Sequence, residues 1–219
     1  MLYIIATPIG NLKDITLRAL ETLTSVDIIF AEDTRVAGKL LACNNISKPV
    51  YRYDEPSHSR AIKEVLAFLG QGKSIAFISD AGTPGVSDPG TRLVQSVRAM
   101  LPAVKIVPIP GASAITTILS VAGLESPMFS FFGFPPHKKG RVTFFKKIVS
   151  SEIPVVFYES PHRIQKAFEL LDKEGGQIQL VVGRELTKLY EDIFFGTPKE
   201  ALSYFVGEKL KGEFVIVRR

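Results

Sequence analysis

Residues 73–101 read KSIAFISDAGTPGVSDPGTRLVQSVRAML, and this stretch decides the fold class. Lys73–Ser79 contains a continuous apolar run that predicts a buried strand, and Thr91–Leu101 has the spacing of a helix. The loop Ser79–Gly90 between them holds three glycines and two prolines. A strand, a long loop and a helix in this order predict a parallel β-α-β unit. Open α/β sheets bind ligands at the carboxyl ends of their strands, so we expect this loop to contact a ligand.

The rest of the first half repeats this alternation of short apolar runs and helical patterns. Further strands are predicted at Leu2–Ala6, Val26–Ala31 and Val104–Ile109. Further helices are predicted after Asp14 as the N-cap and at Val36–Cys43, Pro56–Leu69 and Ala112–Val121. The pattern predicts an N-terminal α/β domain over residues 1–121, with a mostly parallel, doubly wound sheet.

Residues 122–127 have the composition of a linker, and the pattern changes beyond them. Strands are predicted at Phe129–Phe134, Pro154–Tyr158, Ile178–Val182, Tyr190–Phe195 and Glu213–Val217, and helices at His162–Leu171 and Pro198–Phe205. Consecutive strands without helices between them predict a mixed sheet in a C-terminal α/β domain over residues 128–219. We therefore expect two α/β domains with a cleft between them, and such clefts are favoured ligand sites.

The excess positive charge of the chain is concentrated in one segment. The 219 residues include 27 Lys and Arg against 22 Asp and Glu, a formal net charge of +5. The segment His137–Lys147, called here the basic window, contains no acid and five cations, which equal the whole surplus. They are Lys138, Lys139, Arg141, Lys146 and Lys147. Such a segment is either a solvated loop or helix face, or an electrostatic contact for a polyanion.

Composition also excludes several classes of protein. Cys43 is the only cysteine, so an intrachain disulfide and cysteine-ligand zinc spacings are excluded, which fits a reducing cytoplasm. The N-terminus lacks the basic segment of a signal peptide. No apolar run approaches about 18 residues, so no membrane span is expected. We assign no metal ligands and expect a cytoplasmic protein.

Two glycine motifs resemble known catalytic loops without matching them. Gly70–Ser74 is similar to a P-loop, but Ala67 stands where the first glycine is required, and a helix stop is the better interpretation. Gly111–Ile115 lies between a strand and a helix like a nucleophile elbow, but Ile115 replaces a required glycine. We interpret it as a small-residue turn, either structural or in contact with a ligand. The dinucleotide motif G-x-G-x-x-G is absent.

Clusters of opposite charge follow three predicted strands. They are Ala31–Arg35, Tyr158–Arg163 and Arg184–Lys188. One such cluster is most often a helix cap or a surface ion pair, whereas three in one chain favour a shared polar cleft.

These stretches, taken together, resemble the tetrapyrrole methylase superfamily. The matching segments are Ala6–Leu12, Asp14–Thr16, Ala31–Arg35, Ser79–Gly90, Pro110–Ala114, Phe157–Arg163, Arg184–Lys188 and Gly212–Phe214. They occur in the order of the family and cover nearly the whole chain. Glu32–Arg35 and Glu159–Arg163 resemble the branch that methylates ribosomal RNA rather than the branches that modify porphyrins.

The resemblance implies a homodimer of two-domain subunits, with S-adenosylmethionine bound in the cleft between the domains. By motif position, the implied cofactor-binding residues are Pro8, Gly82, Thr83, Val86, Ser87, Ser113, Ala114, Tyr158, Leu186 and Gly212. The implied reaction is 2′-O-methylation of a ribose in 16S rRNA, at a cytidine of the decoding centre, with naked rRNA or the small ribosomal subunit as substrate. Two alternatives stay open, namely a tetrapyrrole or other small molecule as methyl acceptor, and a non-catalytic RNA-binding module.

A ribose 2′-hydroxyl is a weak nucleophile, so we expect a nearby general base. The candidates are Asp33, Glu159 and Glu185, with Lys188 as an electrostatic neighbour. The candidates for contacts with RNA phosphates are Arg35, Arg163, Arg184 and, in the basic window, Lys138, Lys139 and Arg141. Relatives often continue beyond the strand at Gly212–Phe214, whereas this sequence ends at Arg219. We therefore expect the basic window to supply the grip on RNA.

Overall fold

A computed structural model describes residues Met1–Arg219 and divides them into two compact units. The units are Met1–Ser113 and Ala114–Arg219. The boundary lies earlier than the expected position at 121, because helix Ala114–Val121 packs on the sheet of the second unit. The expected linker at 122–127 therefore lies inside the second unit.

The first unit is built on a five-stranded parallel sheet, which confirms the doubly wound expectation. Its strands are β1 (Leu2–Ile5), β2 (Ile28–Ala31), β3 (Val50–Arg52), β4 (Ile75–Ile78) and β5 (Ile106–Ile109), in the order β3-β2-β4-β1-β5. Its helices are α1 (Leu17–Ser25), α2 (Thr34–Cys43), α3 (His58–Gly70) and α4 (Gly90–Met100), with a short 3₁₀ turn at Leu12–Asp14. Buried side chains line both faces of the sheet, Phe30 and Phe77 on one face and Ile29 and Ile78 on the other.

Two local features of this unit differ from the sequence-based expectation. The N-cap of α1 is Thr16, whose side chain accepts the N–H of Ala19 at 3.1 Å, whereas Asp14 lies in the preceding 3₁₀ turn. Asp14 as the N-cap is therefore wrong, because the hydroxyl nearer the helix takes that position. The sequence does not predict strand β3, since this strand is short, lies at the sheet edge and is largely exposed.

The second unit has the mixed sheet that the sequence predicts. After helix α5 (Ala114–Val121), its strands are β6 (Ser130–Phe131), β7 (Val155–Glu159), β8 (Leu180–Arg184), β9 (Asp192–Gly196) and β10 (Phe214–Arg218), in the order β6-β7-β10-β8-β9. Only the β6–β7 pair is parallel. The remaining helices are α6 (Arg141–Val149), α7 (Ile164–Gly175) and α8 (Pro198–Tyr204), with a 3₁₀ turn at Gly207–Leu210. Rings such as Phe145, Phe157 and Phe205 fill the core between the helices and the sheet.

The direction of the strands brings the charged motifs and the glycine-rich loop together at the ends of strands, at one place in each sheet. In the first unit, parallel β2 and β4 are neighbours, so Ala31–Arg35 and Ser79–Gly90 start at the same edge. In the second unit, Phe214 at the start of β10 pairs with Glu159 at the end of β7 and with Arg184 at the end of β8. None of the helices combines the length and the hydrophobicity that a membrane span requires.

Candidate active site

The loop that follows β4 is held in place by one carboxylate. Asp88 accepts hydrogen bonds from the backbone N–H groups of three loop residues. They are Gly85 at 2.8 Å, Val86 at 3.3 Å and Gly90 at 2.7 Å. Ser87 has a φ of 66°, in the left-handed region that favours glycine, so surrounding contacts must hold this conformation. The part of the loop from Gly85 to Gly90 is therefore preorganised by its own residues.

A backbone bridge brings the predicted cofactor residues of the first unit together. The N–H of Thr7 donates to the carbonyl of Gly82 at 2.9 Å, and the N–H of Gly82 donates back at 3.0 Å. This pairing places Pro8 beside the loop. The Thr83 hydroxyl donates to the carbonyl of Ala112 at 3.2 Å, so Ser113 follows at the same place. Val86 and Ser87 lie further along the same loop.

Acidic side chains gather where β2 and β4 end. The N–H of Asp33 donates to Asp80 Oδ1 at 2.9 Å, and the N–H of Asp80 donates to Glu32 Oε2 at 3.4 Å. Burial and the charge of Asp80 raise the pKa of Glu32. Partial burial raises the pKa of Asp80, as does the charge of Asp33, against the lowering effect of the Asp33 N–H. These two carboxyls are the better proton acceptors at this edge.

Asp33, one of the predicted bases, is ion-paired and caps a helix. As the N-cap of α2 it accepts the N–H of Arg35 at 2.8 Å, and the Arg35 Nε donates to it at 3.0 Å. These hydrogen bonds from the Arg35 side chain and backbone hold the pKa of Asp33 well below its usual range. A carboxylate stabilised in this way is a weak proton acceptor. Arg35 is exposed, but its charge already has this partner.

Glu185 and Lys188 form an ion-paired cluster at the edge of the second sheet. The Lys188 Nζ lies 2.9 Å from Glu185 Oε1 and 3.0 Å from Glu213 Oε2, and the Glu213 N–H donates to Glu185 Oε1 at 2.9 Å. Burial alone would raise the pKa of Glu185, but the hydrogen bonds from Lys188 and Glu213 lower it. Burial alone would lower the pKa of Lys188, but the hydrogen bonds and charges of Glu185 and Glu213 outweigh this effect and raise it. Lys188 is therefore a fixed cation and Glu185 a weakened base.

The backbone around this cluster is tight. Gly212 has a φ of 102°, and a Cβ there would collide with the side chain of Glu185. Glu185 and Thr187 themselves have positive φ angles of 50° and 67°. The Leu186 side chain packs against Gly183, where an added Cβ would lie 3.0 Å from Leu186 Cδ2. Leu186 and Gly212, both predicted to bind the cofactor, thus lie on neighbouring segments whose conformation is fixed.

Arg184, predicted to bind RNA phosphate, has a structural role instead. Its guanidinium donates to three backbone carbonyls, those of Lys211 at 2.7 Å, Tyr190 at 3.2 Å and Glu208 at 3.2 Å. The residue is only 9% exposed. We therefore correct the assignment, because a nearly buried guanidinium that donates to three backbone carbonyls is not free to bind a phosphate.

Glu159, Arg141 and Arg163 form a buried charge network rather than a base and two RNA contacts. The Glu159 side chain is 0% exposed, and its Oε2 lies 2.6 Å from Arg141 Nη2. Its Oε1 lies 3.2 Å from Arg163 Nε and accepts the N–H of Ser160 at 2.7 Å. Arg141 also donates to the carbonyl of Pro136 at 3.4 Å. We therefore correct two assignments. Glu159 is not a general base, since its carboxylate is buried away from substrate, and Arg141 and Arg163 are not RNA contacts, since their charges neutralise this carboxylate.

Tyr158 lies in a partly exposed aromatic cluster. Its ring centroid is 5.1 Å from that of Phe131 and 5.2 Å from that of Phe134. Burial raises the pKa of the Tyr158 hydroxyl to about 12, so this group stays protonated at neutral pH. Phe134 is 52% exposed. The cluster offers an apolar surface suited to a planar ring.

Four of the five cations of the basic window remain at the surface. Lys138 and Lys139 precede α6, and Lys146 and Lys147 lie in its last turn. Lys146 Nζ is 3.9 Å from Glu174 Oε2, whereas the other three lysines have no ion pair. The polyanion interpretation of the window is therefore carried by lysines, and Arg141 is removed from it.

Sequence reasoning misses Asp88, Glu32 and Asp80 as functional residues. All three stand inside the motifs Ala31–Arg35 and Ser79–Gly90, but the sequence alone does not single them out. A signal for Asp88 is its position two residues before Gly90 at the start of α4, where a carboxylate can accept loop N–H groups. The raised pKa values of Glu32 and Asp80 depend on the pairing of β2 with β4, which the sequence does not contain.

Comparison with known proteins identifies the family. Residues 1–202 match the family described as Tetrapyrrole (Corrin/Porphyrin) Methylases. The chain belongs to this family. Methylases of this family take the methyl group from S-adenosylmethionine.

Three bacterial relatives match this methylase over nearly all of its length, and each is named Ribosomal RNA small subunit methyltransferase I. The relative from Vibrio cholerae is 46% identical over 99% of this chain and 76% of its own. The relative from Borrelia garinii subsp. bavariensis is 43% identical, over 99% and 97%. The relative from Thermotoga maritima is 40% identical, over 99% and 96%.

The solved structures of two methyltransferases named for other substrates, uroporphyrin-III and cobalt precorrin-4, share the fold of this methylase. A uroporphyrin-III-C-methyltransferase from Thermus thermophilus superposes with a TM-score of 0.69 at 16% identity. A cobalt precorrin-4 methyltransferase gives the same TM-score at 19% identity. Each likeness covers 99% of this chain and 93% of the other.

Proposed function

We propose that this methylase transfers a methyl group from S-adenosylmethionine to a ribose 2′-hydroxyl of 16S rRNA, at cytidine 1402 in the standard rRNA numbering. The observation that carries the proposal is the similarity of 40–46% over nearly the full chain to relatives that all bear the same rRNA methyltransferase name. The exposed lysines of the basic window support it, since a polyanionic acceptor needs cations.

Residues of each unit, taken separately, have chemistry that suits the cofactor. Gly82 has a φ of 79° and allows a ligand to approach the backbone, and the Thr83 and Ala112 contact places further backbone groups beside it. Tyr158 offers a half-buried ring. Bound S-adenosylmethionine supplies an electrophilic methyl group on sulfur. We propose as its contacts Pro8, Gly82, Thr83, Val86, Ser87 and Ser113 in the first unit, and Ala114, Tyr158, Leu186 and Gly212 in the second.

The protein contributes positioning and a proton acceptor. Holding the acceptor oxygen in line supplies roughly 7–11 kcal/mol of barrier reduction. A general base adds about 10²–10⁴-fold. Among the carboxylates, Asp80 is the preferred base because it lies in the Ser79–Gly90 loop, keeps access to solvent although its carboxyl is partly desolvated, and has a raised pKa. Asp33, Glu185 and Glu159 are held in ion pairs and have structural roles, and Lys188 fixes the cluster around Glu185.

We further propose that the enzyme is a cytoplasmic homodimer. Large exposed apolar side chains, among them Leu189 at 88% and Tyr190 at 69%, support a covered surface in solution. Light scattering during size-exclusion chromatography tests the dimer. A monomer at micromolar concentration would contradict it.

The proposed function is tested by methyl transfer from labelled S-adenosylmethionine to three acceptors. We expect label in small ribosomal subunits, or in naked 16S rRNA, from a strain that lacks the enzyme, and none in a tetrapyrrole precursor. Mass mapping then identifies the modified nucleotide. Label in the tetrapyrrole alone would favour the small-molecule alternative. Cofactor binding without transfer to any acceptor would refute the rRNA assignment.

A further inference from the structure

Phe134 is an exposed ring on a rigid base. It stands 52% exposed, and its ring contacts Tyr158, which in turn contacts Phe131. The proposed methyl transfer gives Tyr158 a role in cofactor binding but assigns none to the exposed ring of Phe134. A single exposed Phe is common on protein surfaces and needs no explanation. An exposed Phe that packs on a cluster of other rings forms a platform, that is, a rigid apolar surface on which a planar group can stack.

The backbone that carries Phe134 is fixed on both sides. On one side, the N–H of Tyr158 donates to the carbonyl of Gly133 at 3.0 Å. On the other side, the buried Arg141 donates to the carbonyl of Pro136, and its own N–H donates to the carbonyl of Lys138 at 3.2 Å. Arg141 is in turn held by Glu159. The ring is therefore presented at little further cost in conformational entropy.

Positive charge lies next to the platform. Lys138 and Lys139 are exposed, have no ion pair and follow Phe134 by four and five residues. Five residues of chain span at most about 18 Å, so the Cα atoms of Phe134 and of both lysines lie close enough for one extended RNA strand to reach all three residues. No acid occurs between Phe129 and Lys147. An aromatic face flanked by cations is the pattern that binds a single-stranded nucleic acid, with the base stacked and the phosphates paired.

We propose that Phe134, with Lys138 and Lys139, stacks an unpaired nucleobase of the RNA substrate and binds its flanking phosphates. This inference rests on the proposed function, which it deepens by naming a surface for the acceptor. A second copy of the chain is the competing occupant. The charge favours RNA, because two unpaired lysines at the rim would repel the same lysines of a symmetric partner.

The test measures binding of a short single-stranded RNA that carries a fluorescent adenine analogue. Phe134→Ala is expected to weaken binding about tenfold or more and to abolish the fluorescence quenching that stacking causes. The salt dependence should stay as in the wild type, because this variant keeps every lysine that pairs with a phosphate. Phe134→Tyr should retain both binding and quenching. Phe195→Ala, at a ring 55% exposed on strand β9, is the matched control and should bind RNA normally.

The outcomes separate this inference from the proposed function. Unchanged RNA binding by Phe134→Ala, an equal loss in Phe195→Ala, or a change of oligomeric state confined to Phe134→Ala would each overturn the stacking surface. The thermal midpoint of Phe134→Ala should match the wild type, which excludes misfolding. If the wild type transfers no methyl group to RNA, the proposed function fails, while the difference between the two Phe variants still decides the inference.

Discussion

At the scale of single residues, Asp88 shows how one carboxylate can shape a loop that binds a ligand. It accepts hydrogen bonds from the backbone N–H groups of Gly85, Val86 and Gly90. Gly90 is required beside it, since an added Cβ would lie 2.8 Å from the nitrogen of Gly85. The second half of the loop, from Gly85 to Gly90, is thus shaped by a carboxylate of its own sequence, whereas Gly82 and Thr83 are held by Thr7 and Ala112.

Replacing this carboxylate should impair cofactor binding more than folding. Asp88→Ala leaves three N–H groups without their acceptor, so the loop loses its preorganisation. We expect the Kd for S-adenosylmethionine, measured by calorimetry, to rise about tenfold or more. Glu125→Gln, at an acid elsewhere in the chain, is the control. An unchanged Kd in Asp88→Ala would show that the loop does not contact the cofactor.

The proposed base gives a pH-dependent prediction. Asp80→Asn should lower kcat by about 10²-fold or more while the cofactor Kd stays unchanged. In the wild type, kcat should fall as the pH drops through the raised pKa of Asp80, because the protonated carboxyl cannot accept the ribose proton. Steady-state kinetics across pH measure both effects. Full turnover in Asp80→Asn, or a flat profile in acid, would assign the proton acceptor elsewhere.

At the scale of elements, the buried network joins three elements of the second unit. Glu159 ends β7, Arg141 begins α6 and Arg163 is the N-cap residue of α7. Two guanidiniums face one fully buried carboxylate. Burying these charges costs desolvation energy, so the network is expected to select one packing of the helices on the sheet more than to add net stability.

Removing the carboxylate alone should be costly. Glu159→Leu leaves two cations without a counterion, and we expect a loss of about 3–5 kcal/mol in the free energy of unfolding. The double variant Glu159→Leu with Arg141→Met should lose less than the sum of the single variants, since each removes the partner of the other. Urea denaturation of the four proteins measures this coupling. Additive losses would mean that the ion pair contributes nothing of its own.

Helices and strands are predictable from the sequence where the spacing of apolar residues is clear. They are hard to predict where charged residues interrupt that spacing. All four of the strands predicted in the first half appear, because buried runs such as Ile75–Ile78 carry a strong local signal. The basic window fits a loop as well as a helix face, since its cations obscure the apolar spacing of Phe144, Phe145 and Ile148 in α6. The burial of Arg141 and Arg184 is not predictable, because Glu159, the ion-pair partner of Arg141, lies 18 residues away in sequence and Lys211, an acceptor for Arg184, lies 27 residues away.

At the scale of the whole molecule, the structure shows which of the cations behind the net charge of +5 are free to attract a polyanion. One of the five cations of the basic window, Arg141, neutralises Glu159, and Lys146 lies near Glu174. Lys138, Lys139 and Lys147 remain exposed and without ion pairs. The electrostatic attraction for RNA is thus expected to depend on where these three lysines lie, and not on the total charge.

This expectation separates local from global electrostatics. Replacing Lys138, Lys139 and Lys147 by Ala should reduce the slope of log Kd against log salt for single-stranded RNA by about 2, since each phosphate that a lysine neutralises contributes about 0.7. Replacing Lys39, Lys63 and Lys105, which are also exposed and unpaired, gives a protein of the same net charge. Its slope should stay close to that of the wild type, because lysines outside the interface release no counterions from RNA. Equal reductions in both triple variants would mean that RNA responds to the field of the whole protein, and the basic window would then have no special role.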